Sequence, residues 1–122
     1  MYSIDNKEYP CSTSVAMRFI GGKWKAAILI HLIEKKRYSE LRKGMPNITE
    51  RTLSLQLKEL EADGIVVRTV YTSKPPLKVE YELSDFGKSL IPLLRAISDV
   101  GKEIIKSNDK VKVISLPPCS IE

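Results

Sequence analysis

The chain has 122 residues, a mass of 13.8 kDa and a formal net charge of +5, with 43% hydrophobic and 29% charged residues. That length supports one domain with a real core and not two independent ones. No stretch approaches the roughly 18 apolar residues of a membrane span and no signal-peptide core opens the chain, so no membrane partner is expected and the protein reads as cytoplasmic.

Cys11 and Cys119 stand near opposite ends without a CxxC pair, which argues against a zinc site or a disulfide framework and for reduced thiols. The charge is unevenly placed. Residues 35–78 hold ten Lys/Arg against five acids, whereas the rest of the chain carries ten of each, so the whole basic excess lies in one central third. A localised basic surface is the footprint of a polyanion partner, although a solvated face gives the same count.

In chain order, residues 1–11 read as an N-terminal arm without regular structure. Ser12 or Thr13 can cap a first helix through Ile20, which Gly21-Gly22 ends. Lys23 to Glu34 forms a second, mostly buried helix in which Trp24, Ile28 and Leu32 recur at spacing four. Ser39 is the expected cap of a short helix, Glu40 to Lys43, stopped by Gly44 and Pro46. The strongest local signal follows: Thr49 as N-cap, Ile48 able to staple onto Leu53, and Gly64 where a left-handed C-cap belongs, giving a helix over Glu50 to Asp63. Its core stripe is Leu53, Leu57 and Leu60, which turns Arg51, Thr52, Leu55, Lys58 and Glu59 outward.

Two strand-like runs, Ile65 to Tyr71 and Lys78 to Leu83, flank a basic, proline-stiffened tip. The second alternates Val79, Tyr81, Leu83 with Lys78, Glu80, Glu82, the pattern of a strand with one wet face. Ser84 caps a last helical region in which Phe86, Leu90, Leu93, Ile97, Val100 and Ile104 repeat at 4-3-4-3-4, with Pro92 expected to kink or divide it. Residues 108–122 read as a flexible tail.

This order is that of a winged helix-turn-helix: an α+β, mainly helical domain over residues 12–107 whose terminal helices, the last about 91–107, supply a homodimer interface. The turn before Thr49 would set the following helix into a major groove about 12 Å wide, with the hairpin reaching the neighbouring backbone. On that reading Thr49, Arg51, Thr52, Ser54, Leu55 and Lys58 form the recognition face, with Arg51 suited to a guanine edge and Leu55 to a thymine methyl group. Leu55 packed under a loop or a partner chain is the competing explanation. Lys23, Lys25, Ser39, Arg68, Lys74 and Lys78 are candidate backbone contacts. Val15, Phe19, Leu93, Ile97, Val100 and Ile104 are candidate dimer residues, and a two-fold dimer requires a near-palindromic double-stranded site.

Enzymatic activity is not expected. The single histidine, His31, lies in an apolar helix, and neither a phosphate loop, paired catalytic carboxylates nor a metal-spaced cluster occurs, so no cofactor or metal is expected. The alternative is a winged helix that contacts protein or RNA without operator recognition.

The segments Ile20 to Lys25, Arg37 to Arg42, Ile48 to Arg51, Leu57 to Gly64, Val70-Tyr71, Pro75-Pro76 and Val79 to Tyr81 resemble the HxlR family of winged-helix regulators, relatives of the MarR group, over about Cys11 to Ile105. The resemblance implies a transcription regulator, a dimer joined through the first and last helices, a recognition helix at Glu50 to Glu61 and a wing at Val66 to Leu83. Two departures stand out: Leu77 lengthens the hairpin by one residue, and Leu55 replaces a residue often polar in the family. The resemblance also implies a role for Cys11, since many members carry a cysteine before the first helix and some sense oxidants or electrophiles through it. A thiol beside a helix N-terminus is easier to ionise, which fits that chemistry. A plain structural cysteine is the competing reading, and Cys119 is a weaker candidate for a resolving partner. The effector, if there is one, is not named by these residues.

Overall fold

The computed structural model describes residues 1–72, 74–76 and 78–114. The expected unstructured start is instead a hairpin: β1 (Tyr2–Ile4) pairs antiparallel with β2 (Lys7–Tyr9), with Tyr2 opposite Tyr9 and Ile4 opposite Lys7. Asp5 and Asn6 turn it at φ of 50° and 66°, the left-handed conformation that a two-residue hairpin loop needs and that Asp and Asn tolerate.

Helix α1 (Ser12–Ile20) starts directly after the hairpin with Cys11 as its N-cap residue, one or two positions before the expected Ser12 or Thr13. Helix α2 (Lys25–His31) is shorter than expected at both ends, because the chain must reverse after it into strand β3 (Lys36–Arg37). That strand explains a second difference. Arg37, opposite Glu80 in the sheet, is the N-cap residue of α3 (Tyr38–Gly44), and the Glu40 carboxylate accepts its backbone N–H at 2.8 Å. Ser39 therefore lies inside the first turn and is not the cap.

Helix α4 (Glu50–Ala62) follows the expected rules. Thr49 Oγ1 accepts the Thr52 backbone N–H at 3.1 Å, and Ile48 and Leu53 are both buried. At the other end Gly64 sits at φ 75°, its N–H bonds the Glu61 carbonyl and the Ile65 N–H bonds the Leu60 carbonyl, each at 3.0 Å, which closes the helix as a Schellman motif.

Strands β4 (Val66–Val70) and β5 (Val79–Leu83) form the wing, and β3 completes a three-stranded antiparallel sheet in the order β3-β5-β4. Because β5 is central, Glu80 and Glu82 are half-buried, not fully wet as the alternation suggests. Ser84 joins the layers: its hydroxyl donates to the Gly64 carbonyl at 2.6 Å and accepts the Gly87 N–H at 3.0 Å, capping α5 (Asp85–Ser89) against the end of α4. Gly87 is required there, since a Cβ would stand 2.4 Å from the Ile65 carbonyl oxygen. Pro92, in the first turn of α6 (Ile91–Ser107), divides the two helices as expected.

One core unites Ile28, Leu29 and Leu32 of α2 and its exit, Leu41 of α3, the Leu53-Leu57-Leu60 stripe of α4, Ile65, Leu83 and Leu94 of α6. Helix α6 packs on α2 through Leu94 and leaves the expected seam outside, with Leu93, Ile97, Val100 and Ile104 exposed and Leu90 half-buried against the core. Phe86, also in that repeat, is exposed rather than folded back. No helix among the described residues is long and apolar enough to cross a membrane.

Candidate nucleic-acid interface

Burying the leucine stripe of α4 turns the opposite side outward. Arg51, Ser54, Leu55 and Lys58 are exposed and Thr52 is half-exposed. Among the described residues, neither Arg51 nor Lys58 makes an ion pair. Leu55 is 54% exposed, so no loop among the described residues covers it. Thr49 Oγ1 donates to Thr52 Oγ1 at 2.8 Å, which satisfies one Thr52 lone pair and leaves its hydroxyl proton to point outward.

Tyr38, which the sequence patterns did not single out, reaches the same surface. Its hydroxyl lies 3.3 Å from the Glu50 carbonyl and 3.4 Å from Ser54 Oγ, joining the first turn of α3 to the first turns of α4. Arg42 was also missed. Its guanidinium donates to the Ile48 carbonyl and so ties the end of α3 to the turn that launches α4. Neither contact has a local sequence signature, because each depends on how α3 crosses α4. Ser39 is exposed in the first turn of α3.

Between α4 and the wing runs a cleft of about 400 Å³ lined by Ser54, Lys58 and Glu61 on one side and Arg68 and Tyr81 on the other. Lys58 and Arg68 thus stand on facing walls of a groove beside the exposed face of α4. Lys74 is exposed at the wing tip, where its backbone N–H bonds Thr72 Oγ1 at 3.2 Å. Lys78 is 3.9 Å from the Glu80 carboxylate and 4.8 Å above the Tyr71 ring. Burial does not isolate Lys25, whose ammonium lies 3.8 Å from Glu59, so part of its charge is already offset; Lys23 sits 5.1 Å over the Trp24 ring. Lys35 is held above the usual lysine range by Tyr71 first and Glu82 next.

The candidate dimer residues divide into two groups. Val15 and Phe19 on α1 are half-buried, whereas Leu93, Ile97, Val100 and Ile104 make one exposed stripe on α6. Exposed Met17 adds an apolar group on α1.

Cys11 is a free, exposed thiol whose Sγ lies 3.5 Å from Ser14 Oγ. The Ser14 side-chain hydroxyl and then its backbone N–H draw the thiol below its ordinary range by stabilising the thiolate. Leu77 and Cys119 lie outside the described residues, so the expectations placed on them stay with the sequence.

The chain is similar to known proteins along most of its length. The HTH-type transcriptional regulator YdeP of Bacillus subtilis is 46% identical over 112 residues, covering 91% of this chain and 86% of the relative. YtcD of the same organism is 53% identical over 92 residues, 75% of this chain and 72% of the relative. Among solved structures, the redox regulator HypR in its reduced form superposes with a TM-score of 0.76 at 42% identity, covering 83% of this chain and all (100%) of that one. Its oxidised form gives 0.71 at 47%, over 76% and 96% of the two chains. The family model described as HxlR-like helix-turn-helix matches residues 19–109. The chain belongs to the HxlR-like helix-turn-helix family of transcriptional regulators.

Proposed function

We propose that this regulator binds double-stranded DNA sequence-specifically, as a homodimer on a near-palindromic operator, and represses in the cytoplasm by occupying it. The observation that carries the reading is the outward face of α4, where Arg51, Leu55 and Lys58 stand exposed, with Thr52 half-exposed among them, beside a groove walled by Arg68. In a major groove Arg51 donates paired hydrogen bonds to a guanine, Leu55 meets a thymine methyl group, and Lys58 with Arg68 takes the phosphate chain along the groove. Thr49, Ser54, Lys74, Lys78, Lys23, Lys25 and Ser39 serve as backbone contacts, with Lys25 and Lys78 the weaker for their acidic neighbours.

Selection of bound sequences from a random duplex pool tests this directly. It should return a two-fold motif with half-sites one or more turns of about 10 bp apart. On that operator Arg51→Ala should cost about 1–3 kcal/mol while hardly changing binding to random DNA, and affinity should fall steeply with salt. Enrichment of no motif, or equal losses on random DNA, refutes the reading.

Cys11 is the proposed sensor within it. HypR is named for redox regulation in both of its forms, and the lowered thiol here favours the reactive thiolate. Diamide would take two electrons and two protons from the Cys11 thiols of a dimer, leaving one disulfide and the hydrazine. Operator affinity should change on treatment in the wild type and not in Cys11→Ser; unchanged affinity in both removes the sensor.

A further inference from the structure

A second cleft shares no lining residue with the recognition groove, although its Lys36 pairs directly with the groove's Tyr81 across the sheet. It holds about 240 Å³ between the end of α2 (Ile30 and His31), the turn that follows it (Ile33 and Glu34), Lys36 of β3 and Arg95 of α6. Its floor is apolar, formed by the half-buried Ile30 and Ile33, and His31 is 6% exposed with its ring edge against Gly44, where a Cβ would stand 2.9 Å from Cε1. Arg95 and Lys36 make no ion pair among the described residues, and neither does Glu34. A cavity with an apolar floor and two unpaired cations on its rim is built for a ligand with an apolar body and a negative end.

The DNA and dimer surfaces do not use this cleft. At 3.6 residues per turn, Arg95 lies roughly 180° around α6 from the Leu93-Ile97-Val100-Ile104 stripe, so the cleft stays open when that stripe is covered.

We propose that the cleft between α2, β3 and α6 is a binding site for a small apolar monocarboxylate, seated with its body on Ile30 and Ile33 and its carboxylate toward Lys36 and Arg95. Size and charge both narrow the class. The volume is below the about 300–1,000 Å³ of sites for drug-sized ligands, which suits a single ring or a short branched acid. With Lys36 and Arg95 positive, Glu34 negative and His31 neutral, the rim carries one net positive charge and favours a monoanion over a dianion. Burial first and Lys36 second keep the His31 imidazole in its neutral form, able to donate one hydrogen bond to the acid. Binding here needs neither DNA nor a second copy, so it stands or falls independently of operator recognition. Its consequence would reach both, because α6 carries the proposed dimer stripe and His31 rests on the last residue of α3.

The chain has one histidine, which gives one unambiguous reporter. The full-length protein is titrated at constant ionic strength with sodium benzoate, benzamide or sodium sulfate while the His31 Cε1–H resonance is followed by proton NMR. Benzoate should shift the signal saturably, and benzamide and sulfate should bind at least tenfold more weakly. Arg95→Gln, at an exposed position, should weaken benzoate at least tenfold with the circular dichroism spectrum unchanged, and Lys36→Gln should act in the same direction. A non-saturating shift, equal binding of benzamide or sulfate, or benzoate affinity unchanged in Arg95→Gln overturns the proposal.

Discussion

Replacing Ile97 with Asp separates the proposed dimer from a solitary folded chain. Leu93, Ile97, Val100 and Ile104 retain exposures of 43, 41, 58 and 44%. Full burial of such side chains is worth about 1.5–3 kcal/mol each, so covering what remains exposed yields about 1 kcal/mol per residue, or about 8 kcal/mol for both copies. Association costs about 4–15 kcal/mol, which leaves the stripe decisive but without much surplus beyond what α1 adds. Ile97→Asp removes about 1 kcal/mol of that burial per copy and desolvates two carboxylates at about 1–3 kcal/mol each. The sum, about 4 kcal/mol or more, raises the dimer dissociation constant about a thousandfold. Sedimentation equilibrium measures it, and the thermal midpoint of the dissociated variant checks that Leu94 still anchors α6 on α2. A variant that dimerises as tightly as the wild type refutes the assignment of this face.

Thr49→Ala removes the cap on the Thr52 N–H and should destabilise the protein by about 1 kcal/mol, read as a lower urea midpoint at unchanged slope. Gly87→Ala drives a Cβ to 2.4 Å from the Ile65 carbonyl oxygen; overpacking of this kind costs about 1–3 kcal/mol, and an unshifted midpoint would contradict the Ser84-Gly87 junction. His31 is held below its ordinary range, so at mildly acid pH the unfolded chain binds more protons than the folded one. Stability should therefore fall as pH drops from about 6.5 toward the folded-state midpoint and level off above about 6.5. Urea midpoints across that range should lose this slope in His31→Gln.

The parts legible in the sequence are those decided by neighbours a few residues apart. Ile48, Thr49, Leu53 and Gly64 carry both ends of α4, and the leucine stripe alone assigns its inward and outward faces. Ser39 misled because the same residue type caps helices elsewhere, whereas here β3 pairs with β5 and its Arg37 starts α3 two residues early. The hairpin of residues 2–9 was missed since its strands are three residues long and only Asp5-Asn6 marks the turn. Glu80 and Glu82 follow a perfect alternation yet are half-buried, because strand order decides which strand is central. Tyr38, Arg42 and the α2-β3-α6 cleft depend on how helices cross, which no short spacing encodes.

Arg18 shows the same limit at the site where it matters most. It sits in the last turn of α1, seven positions after Cys11, and its guanidinium reaches Asp63 at 3.0 Å and Asp5 at 3.4 Å. Asp63 is the C-cap residue of α4, where the helix dipole already disfavours a negative charge, and its side chain is only 14% exposed. Arg18 thus offsets an unfavourable carboxylate at the end of α4 while holding the N-terminal hairpin in place, and α1 is linked to α4 through one side chain. Removing the cation alone, as in Arg18→Met, leaves a part-buried acceptor unpaired at a cost of about 1–3 kcal/mol. Asp63→Asn alone should cost less, since the dipole no longer opposes it, and the double variant should be more stable than the sum of the single losses predicts. Urea unfolding of the four proteins closes the cycle. A coupling energy near zero would mean that the ion pair is no more than a surface contact, and α1 would then have to reach α4 through the packing of Ile20 instead.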